Sequence, residues 1–482
     1  MTRDTSVFTP DSALQRLLTG RKLLDAEVCR KVTREELNAH IDAGFVQVSP
    51  AFERNAAGKR ICGRCGNEEA RLFGSYPCAH CGKECPYCRA CIMMGRVSEC
   101  AQFVGWIPES VYQPRTVLLA WEGTLTAAQA QAARKLAAQV ERLASGAGGG
   151  EFLVWAVCGA GKTEMLFQAV REALASGFPV MIATPRTDVV LELAPRFAAA
   201  FPDTVTAALY GGADERFPQA ELVICTTHQA MRYRRHFPVC IIDEVDAFPF
   251  SADEKLTHAV SEAATADALT VYVTATPPRD MQQAAASGRL PHIRIPRRYH
   301  GHDLPVPTLC WAGDWHKRLR ARGRVPPPLL RWLRTQLAAG RPVFLFLPRV
   351  ALLDDAAAAL VRALAADLPS PDAFDHVHAA DPGRTDKVAR FRSGAIRLLL
   401  TTTILERGVT VPGVQVAVLG AEDAIFTESA LVQIAGRAGR NPADPAGDVI
   451  FFHHGRTAEM ACAVRHIKAM NAETVEMNTH LD

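Results

Sequence analysis

The sequence contains no apolar run long enough to cross a bilayer, and its first residues, Met1-Thr2-Arg3-Asp4-Thr5-Ser6, lead into no signal-peptide core. The expected location is the cytoplasm, with any attachment at the inner face of a membrane made through partners. An excess of either charge is also missing, since 54 Lys and Arg face 51 Asp and Glu for a net charge of +3. A global field that would draw nucleic acid is thereby excluded, and such affinity has to come from local patches. Cysteine is scarce over most of the chain: of fourteen, only Cys29, Cys158, Cys225, Cys240, Cys310 and Cys462 lie outside residues 62–100. These six read as small core residues. What remains is globular in composition, 48% hydrophobic and 22% charged, and 482 residues exceed one hydrophobic core.

Two stretches organise the chain. Ala156-Val-Cys158-Gly159-Ala160-Gly161-Lys162-Thr163-Glu164 follows the β-prone run Glu151–Trp155. A strand, a glycine-rich turn and a helix start turn backbone N–H groups onto a polyphosphate. Lys162 is placed to reach the outer phosphates and Thr163 to ligate Mg²⁺. Ala156 stands where the phosphate-loop pattern has its first glycine. The second stretch compensates: Pro238–Ile242 is an apolar strand ending in Asp243-Glu244-Val245-Asp246, carboxylates for a metal and for activating water.

The clustered cysteines read as metal ligands. Cys62-Gly-Arg-Cys65 and Cys78-Ala-His-Cys81 are two knuckles that predict one four-cysteine zinc ribbon. Cys85, Cys88 and Cys91, with Cys100 further on, form a second site or exchange ligands with the first. An all-cysteine site leaves no open position, so its role is structural. Basic side chains (Lys59, Arg60, Arg64, Arg71, Lys83, Arg89, Arg96) interleave with Phe73, Tyr76 and Tyr87. They suit a single-strand platform or an ordinary solvated face.

Residues 1–60 read as short helices, with Thr33 and Glu36 a capping box. An alanine-rich helix precedes the phosphate loop, and Gln129 in it is a candidate for the adenine edge. Strands then end in Thr184-Pro-Arg186, Thr226-Thr227-His228 and Thr274-Ala-Thr276, hydroxyl residues at the carboxyl edge of a parallel sheet. Arg294–Pro328, with Arg297, Arg298, Lys317, Arg318, Arg320, Arg322 and Arg324, reads as a basic linker whose basic side chains either form a solvated face or contact a strand's backbone. A second α/β unit opens at Pro342–Leu347, followed by Arg349, then Thr401-Thr402-Thr403, and Gln433-Ile-Ala-Gly436-Arg437-Ala-Gly439-Arg440. Arg437 and Arg440, three apart on one helical face, suit insertion towards a γ-phosphate. The division is 1–60 helical, 61–112 zinc-binding, 113–300 and 301–482 α/β.

From residue 121 to 440 these motifs, in order, resemble those of superfamily 2 helicases and translocases. The four-cysteine segment ahead of them, through Tyr87-Cys-Arg-Ala-Cys-Ile-Met-Met-Gly95-Arg96, is similar to the ComFA family of late-competence ATPases. The resemblance implies an α/β fold of two tandem RecA-like domains behind a small zinc-ribbon domain, with ATP held between the two lobes. It implies a DNA-dependent ATP hydrolase that draws single-stranded DNA inward during transformation, with a ComFC-type partner and the membrane channel. It further implies catalysis by Lys162, Thr163, Asp243, Glu244, Gln433, Arg437 and Arg440. Strand contacts fall on Arg186, Thr226, Thr227, His228, Arg349, Thr401 and Thr402. The alternatives are a PriA-like replication-restart helicase, whose knuckles interrupt the second lobe, and a zinc-anchored DNA-binding ATPase switch.

Overall fold

The apolar runs that end in hydroxyl or acidic residues form the strands of two sheets, because a strand covered on both faces carries side chains that gain from burial on either side. The computed structural model describes residues 8–107, 112–441 and 445–473. Two units result. The first comprises Met1–Thr124, Ala130–Val154 and Thr163–His292, and the second Leu125–Gln129, Trp155–Lys162 and Ile293–Asp482.

The larger sheet has seven strands in the order Thr206–Leu209, Leu222–Thr226, Val180–Thr184, Phe237–Asp243, Ala264–Thr274, Gly150–Ala156 and His292–Ile295. The first five pair in parallel, with Thr184 opposite Thr226 and Asp243 opposite Val273. Strand ends distant in sequence therefore share one carboxyl edge, the side on which α/β sheets bind ligands.

Residues 8–107 carry helices Ser12–Leu18, Asp25–Val28 and Arg34–Asp42. The capping box forms: Glu36 N–H donates to Thr33 Oγ1 at 3.2 Å, and Thr33 N–H to Glu36 Oε2 at 2.8 Å. A helical reading of residues 1–60 is incomplete, since Leu23–Leu24 and Val46–Pro50 flank Gln102–Trp106 in an antiparallel sheet. Those partners are too far apart in sequence for a local pattern to show them. The helical segment and the cysteine segment thus share a sheet, around a core of Leu14, Leu18, Leu37, Val104 and Trp106.

The second unit holds a six-stranded parallel sheet in the order Thr308–Trp311, Val449–His453, Gln415–Leu419, Val343–Phe346, Leu398–Thr401 and Phe374–Val377. The expected basic linker at 294–328 is corrected: it contains the edge strand Thr308–Trp311 and the helix Trp315–Arg322, built into this unit through buried Trp315 and Leu319. The helix Glu428–Ala435 stops at Gly436. Arg437 and Arg440 lie beyond its end, so the helical face expected for them does not exist, and Gly439 at φ +65° carries the turn.

Candidate nucleotide site and metal centres

The phosphate loop runs from the strand Gly150–Ala156 into the helix Lys162–Ala175. Gly159 and Gly161 have φ of +82° and +69°, conformations closed to a Cβ-bearing residue at low cost. Thr163 is buried, and Glu164 pairs with Arg196. Gln129 is tied to the loop: its Nε2 donates to the Ala160 carbonyl at 2.7 Å, and its Oε1 accepts the Thr126 N–H at 2.8 Å. One polar end of the adenine candidate thus braces the phosphate loop, and the other caps the start of its own helix. Cys158 Sγ donates to Gln433 Oε1 at 2.9 Å within the second unit, and Gln433 Nε2 is buried without a partner among the described residues. A loop of positive-φ glycines beside an orphaned amide donor fits a bound polyphosphate.

In the first unit, Glu244 sits at φ +59°, a strained setting for a non-glycine residue. Its N–H donates to Asp243 Oδ1 at 3.0 Å and to the Val273 carbonyl at 2.9 Å. Asp246 accepts the hydroxyls of Thr274 at 2.5 Å and Thr276 at 2.6 Å. The acidic tetrad is thereby locked to the end of the neighbouring strand. Its last carboxylate does positioning work that sequence reasoning left out.

Among the arginines the structure separates roles. Arg437 is buried and donates to the carbonyls of Glu406 (2.7 and 2.8 Å) and Val409. Arg440 reaches the Gly436 carbonyl and Thr410 Oγ1, both at 2.9 Å. Arg298, read from sequence as part of a solvated basic stretch or a strand contact, is 2% exposed and donates to the carbonyls of Gly436 and Gly439. Burial, with Arg440 adding repulsion, pulls its pKa down to about 10. Its only signal in sequence is an arginine directly after an apolar strand with no acidic neighbour.

The strand-contact candidates divide by position. Arg186 precedes the helix Thr187–Ala200, and Thr226 ends the strand paired with Val180–Thr184, with Thr227 and His228 directly after it. Thr184 and Thr227 hydroxyls are buried without partners among the described residues, and burial lowers the His228 pKa. In the second unit, Thr401 and Thr402 end Leu398–Thr401 and are buried, while exposed Arg349 pairs with Asp423 at 3.0 Å.

The cysteines form two groups, so the first two knuckles do not share one ribbon; each takes its partners from the later cysteines, which is the ligand-exchange alternative. Cys62, Cys65, Cys88 and Cys91 make one, and Cys78, Cys81, Cys85 and Cys100 the other. His80 belongs to neither. Sulfur separations are 3.8 Å for Cys62–Cys91, Cys65–Cys88 and Cys78–Cys100, and 3.6 Å for Cys85–Cys100. Four sulfurs ~2.3 Å from a tetrahedral zinc stand ~3.8 Å apart, so both groups fit that ion and neither has disulfide geometry.

Family profiles match in three places: the competence protein ComFA N-terminal domain at residues 6–105, the type III restriction enzyme res subunit at 122–279, and the helicase conserved C-terminal domain at 329–442. The competence protein ComFA of Bacillus subtilis is 46% identical over 460 residues, 95% of each chain. That of Streptococcus pneumoniae is 34% identical over 92% of this chain and 97% of its own. Among solved structures, the DEAD-box helicase Mss116 bound to ssRNA and UDP-BeF aligns with TM-score 0.50 at 15% identity, over 71% of this chain and 77% of that one. S. cerevisiae Dbp5 bound to RNA and ADP BeF3 aligns with TM-score 0.50 at 14%, over 72% and 92%. At such identity the structural likeness establishes the fold, two RecA-like domains.

Proposed function

The chain belongs to the ComFA family of competence proteins, and on that premise we propose that it is a motor that grips single-stranded DNA and moves along it during uptake. It is an ATP-hydrolysing enzyme of helicase superfamily 2. The observation that carries the motor reading is the carboxyl edge of the larger sheet, which gathers hydroxyl-ended strands beside a carboxylate cluster locked to its neighbour by Thr274 and Thr276. The PriA-like alternative gives way to a match spanning 95% of both chains.

Lys162, Thr163 and Asp243 hold MgATP, which when bound supplies the phosphoryl group whose hydrolysis drives the cycle. Glu244, fixed through its N–H to Asp243, orients the attacking water and takes its proton. Arg440 supplies charge to the outer phosphate, while Arg437 and Arg298 fix the turn that carries it. Gln129 and Cys158, with Gly159, Ala160, Gly161 and Glu164, keep the loop in shape. Asp246 relays the state of the acidic tetrad to Thr274 and Thr276. Arg186, Thr226, Thr227 and His228 on one sheet, and Arg349, Thr401 and Thr402 on the other, hold the strand's phosphates.

Zinc in both cysteine groups stabilises the fold. No helix among the described residues is long and apolar enough to cross a membrane. We place the enzyme in the cytoplasm, at the inner face of the uptake channel through a ComFC-type partner.

Lys162→Ala is expected to cut ATP turnover at least ~100-fold, and Arg440→Ala ~10³-fold, with oligo-dT binding within about twofold of wild type. Normal turnover in either refutes the site. Hydrolysis accelerated by single-stranded DNA without displacement of a bound roadblock would instead favour the switch.

A further inference from the structure

The first unit holds an open cleft of about 620 Å³ between its N-terminal helices, the second cysteine group and the loop after Thr206–Leu209. Small-ligand sites span ~300–1,000 Å³. Five guanidinium groups line it, from Arg30, Arg34, Arg96, Arg216 and Arg232, against the carboxylates of Asp25, Glu27 and Glu215. Arg34 pairs with Asp25 at 2.7 Å and Arg232 with Glu27 at 3.3 Å. That leaves Arg30, Arg96 and Arg216, all of them exposed, against the single carboxylate of Glu215, and the lining stays net positive.

Two further features narrow the ligand. The Arg96 guanidinium lies 3.9 Å from the centroid of the Tyr76 ring, and Tyr210 also lines the cleft. A cation held over an aromatic face presents phosphate and base contacts together. Gly211 and Gly212 face open space where a side chain would be, which leaves room for a backbone to approach. Gln229 and Arg232 belong to the short helix Gln229–Arg232, which follows Thr226–His228 directly. The cleft is thus continuous with residues assigned above to the strand path.

We propose that this cleft is an additional single-stranded DNA site, in which Arg30, Arg96 and Arg216 take phosphates and Tyr76 and Tyr210 take bases. It extends the track beyond the motor and rests on the reading that Thr226–His228 grips a strand. An acidic peptide would satisfy the arginines but gives no use to the tyrosines or to the continuity with Thr226–His228.

The test uses the full-length protein and a double charge reversal, Arg96→Glu with Arg216→Glu, probed with dT6 and dT30. The expected result is a loss of at least about tenfold in dT30 affinity, with a salt-dependence slope smaller by about 1.4 for two lost phosphate contacts. Binding of dT6, basal ATP turnover and zinc content should be unchanged. The Arg96→Lys, Arg216→Lys variant should recover most of the lost affinity, which a folding defect would not do. Unchanged dT30 affinity and slope in the reversed variant overturn the cleft and leave the motor standing. So does loss of poly-glutamate binding alone, which would mark a peptide site. A wild-type protein that binds neither oligonucleotide overturns the motor reading and this proposal together.

Discussion

The two cysteine groups have the same ligand chemistry and opposite surroundings. Cys62, Cys65, Cys88 and Cys91 are all buried, in one apolar cluster with Met181, Val223, Cys240, Leu256 and Ala259. Those neighbours come from the larger sheet and the helix Glu254–Ala263. Cys78, Cys81, Cys85 and Cys100 lie apart from that cluster, two of them part-exposed, and Cys78 and Cys100 line the cleft. One group is a piece of the motor's core; the other shapes a surface. The chain nonetheless interleaves them, and the strand Glu84–Cys88 shows how. Residues three apart on a strand point to opposite faces, so Cys85 joins one group and Cys88 the other.

The largest expected effect comes from removing one ligand of each group. Cys91→Ala leaves three thiolates buried among apolar side chains, and should cost more than ~4 kcal/mol and leave little folded protein. Cys81→Ala should lower zinc content from two ions per chain to one, shift the melting temperature by only a few degrees, and weaken dT30 binding. Metal analysis with thermal unfolding of both variants checks this. Equal destabilisation would erase the distinction between core and surface.

A smaller effect is expected at Glu27, which joins the buried group to the helix Gln229–Arg232. Its carboxylate pairs with Arg64, inside the first knuckle, at 3.2 Å and with Arg232 at 3.3 Å. The Arg64 side chain is 3% exposed and also donates to the carbonyls of Met94 and Gly95. Glu27→Gln strips the charge from both pairs and should cost about 3 kcal/mol in urea unfolding, with both zinc ions retained. Loss of zinc from this variant would show that the network holds the metal rather than the helix Gln229–Arg232.

Much of the fold was legible because period and burial coincide. Val180–Thr184, Leu222–Thr226, Phe237–Asp243, Val343–Phe346 and Leu398–Thr401 read as buried strands and are. The capping box at Thr33 is a local rule and holds. Pairings set by tertiary contact were not legible: a two-residue strand at Leu23–Leu24 carries no periodicity, and Glu27 looks like any helical glutamate. The cysteine partition was half legible, since the odd spacing of Cys85 and Cys88 forbids one face once they lie on a strand, but the strand itself is short and polar. Arg437 and Arg440 looked alike on paper, and Arg298 read as one of a basic stretch. Only burial against carbonyls shows that Arg298 and Arg437 hold a turn, leaving Arg440 as the more exposed of the three.

The smallest effect concerns the join on which the buried group depends. His236 begins the approach to Phe237–Asp243, and its imidazole packs where a side chain on Gly20 would sit, so it lies between the N-terminal segment and the sheet. Burial, with Arg21 adding repulsion, pushes its pKa down to about 4 from 6.5. Between those values the unfolded chain binds a proton that the native imidazole does not. This contribution to stability is therefore complete above pH 6.5 and drains as pH falls towards 4, by about 2 kcal/mol at pH 5. Metal release at mild acidity affects wild type and His236→Gln alike, so the difference between their urea midpoints at pH 7 and pH 5 isolates the imidazole. Wild type should lose about 2 kcal/mol more than the variant over that interval. Parallel curves would mean that the join stays closed to protons, and that the buried group owes its acid sensitivity to its thiolates alone.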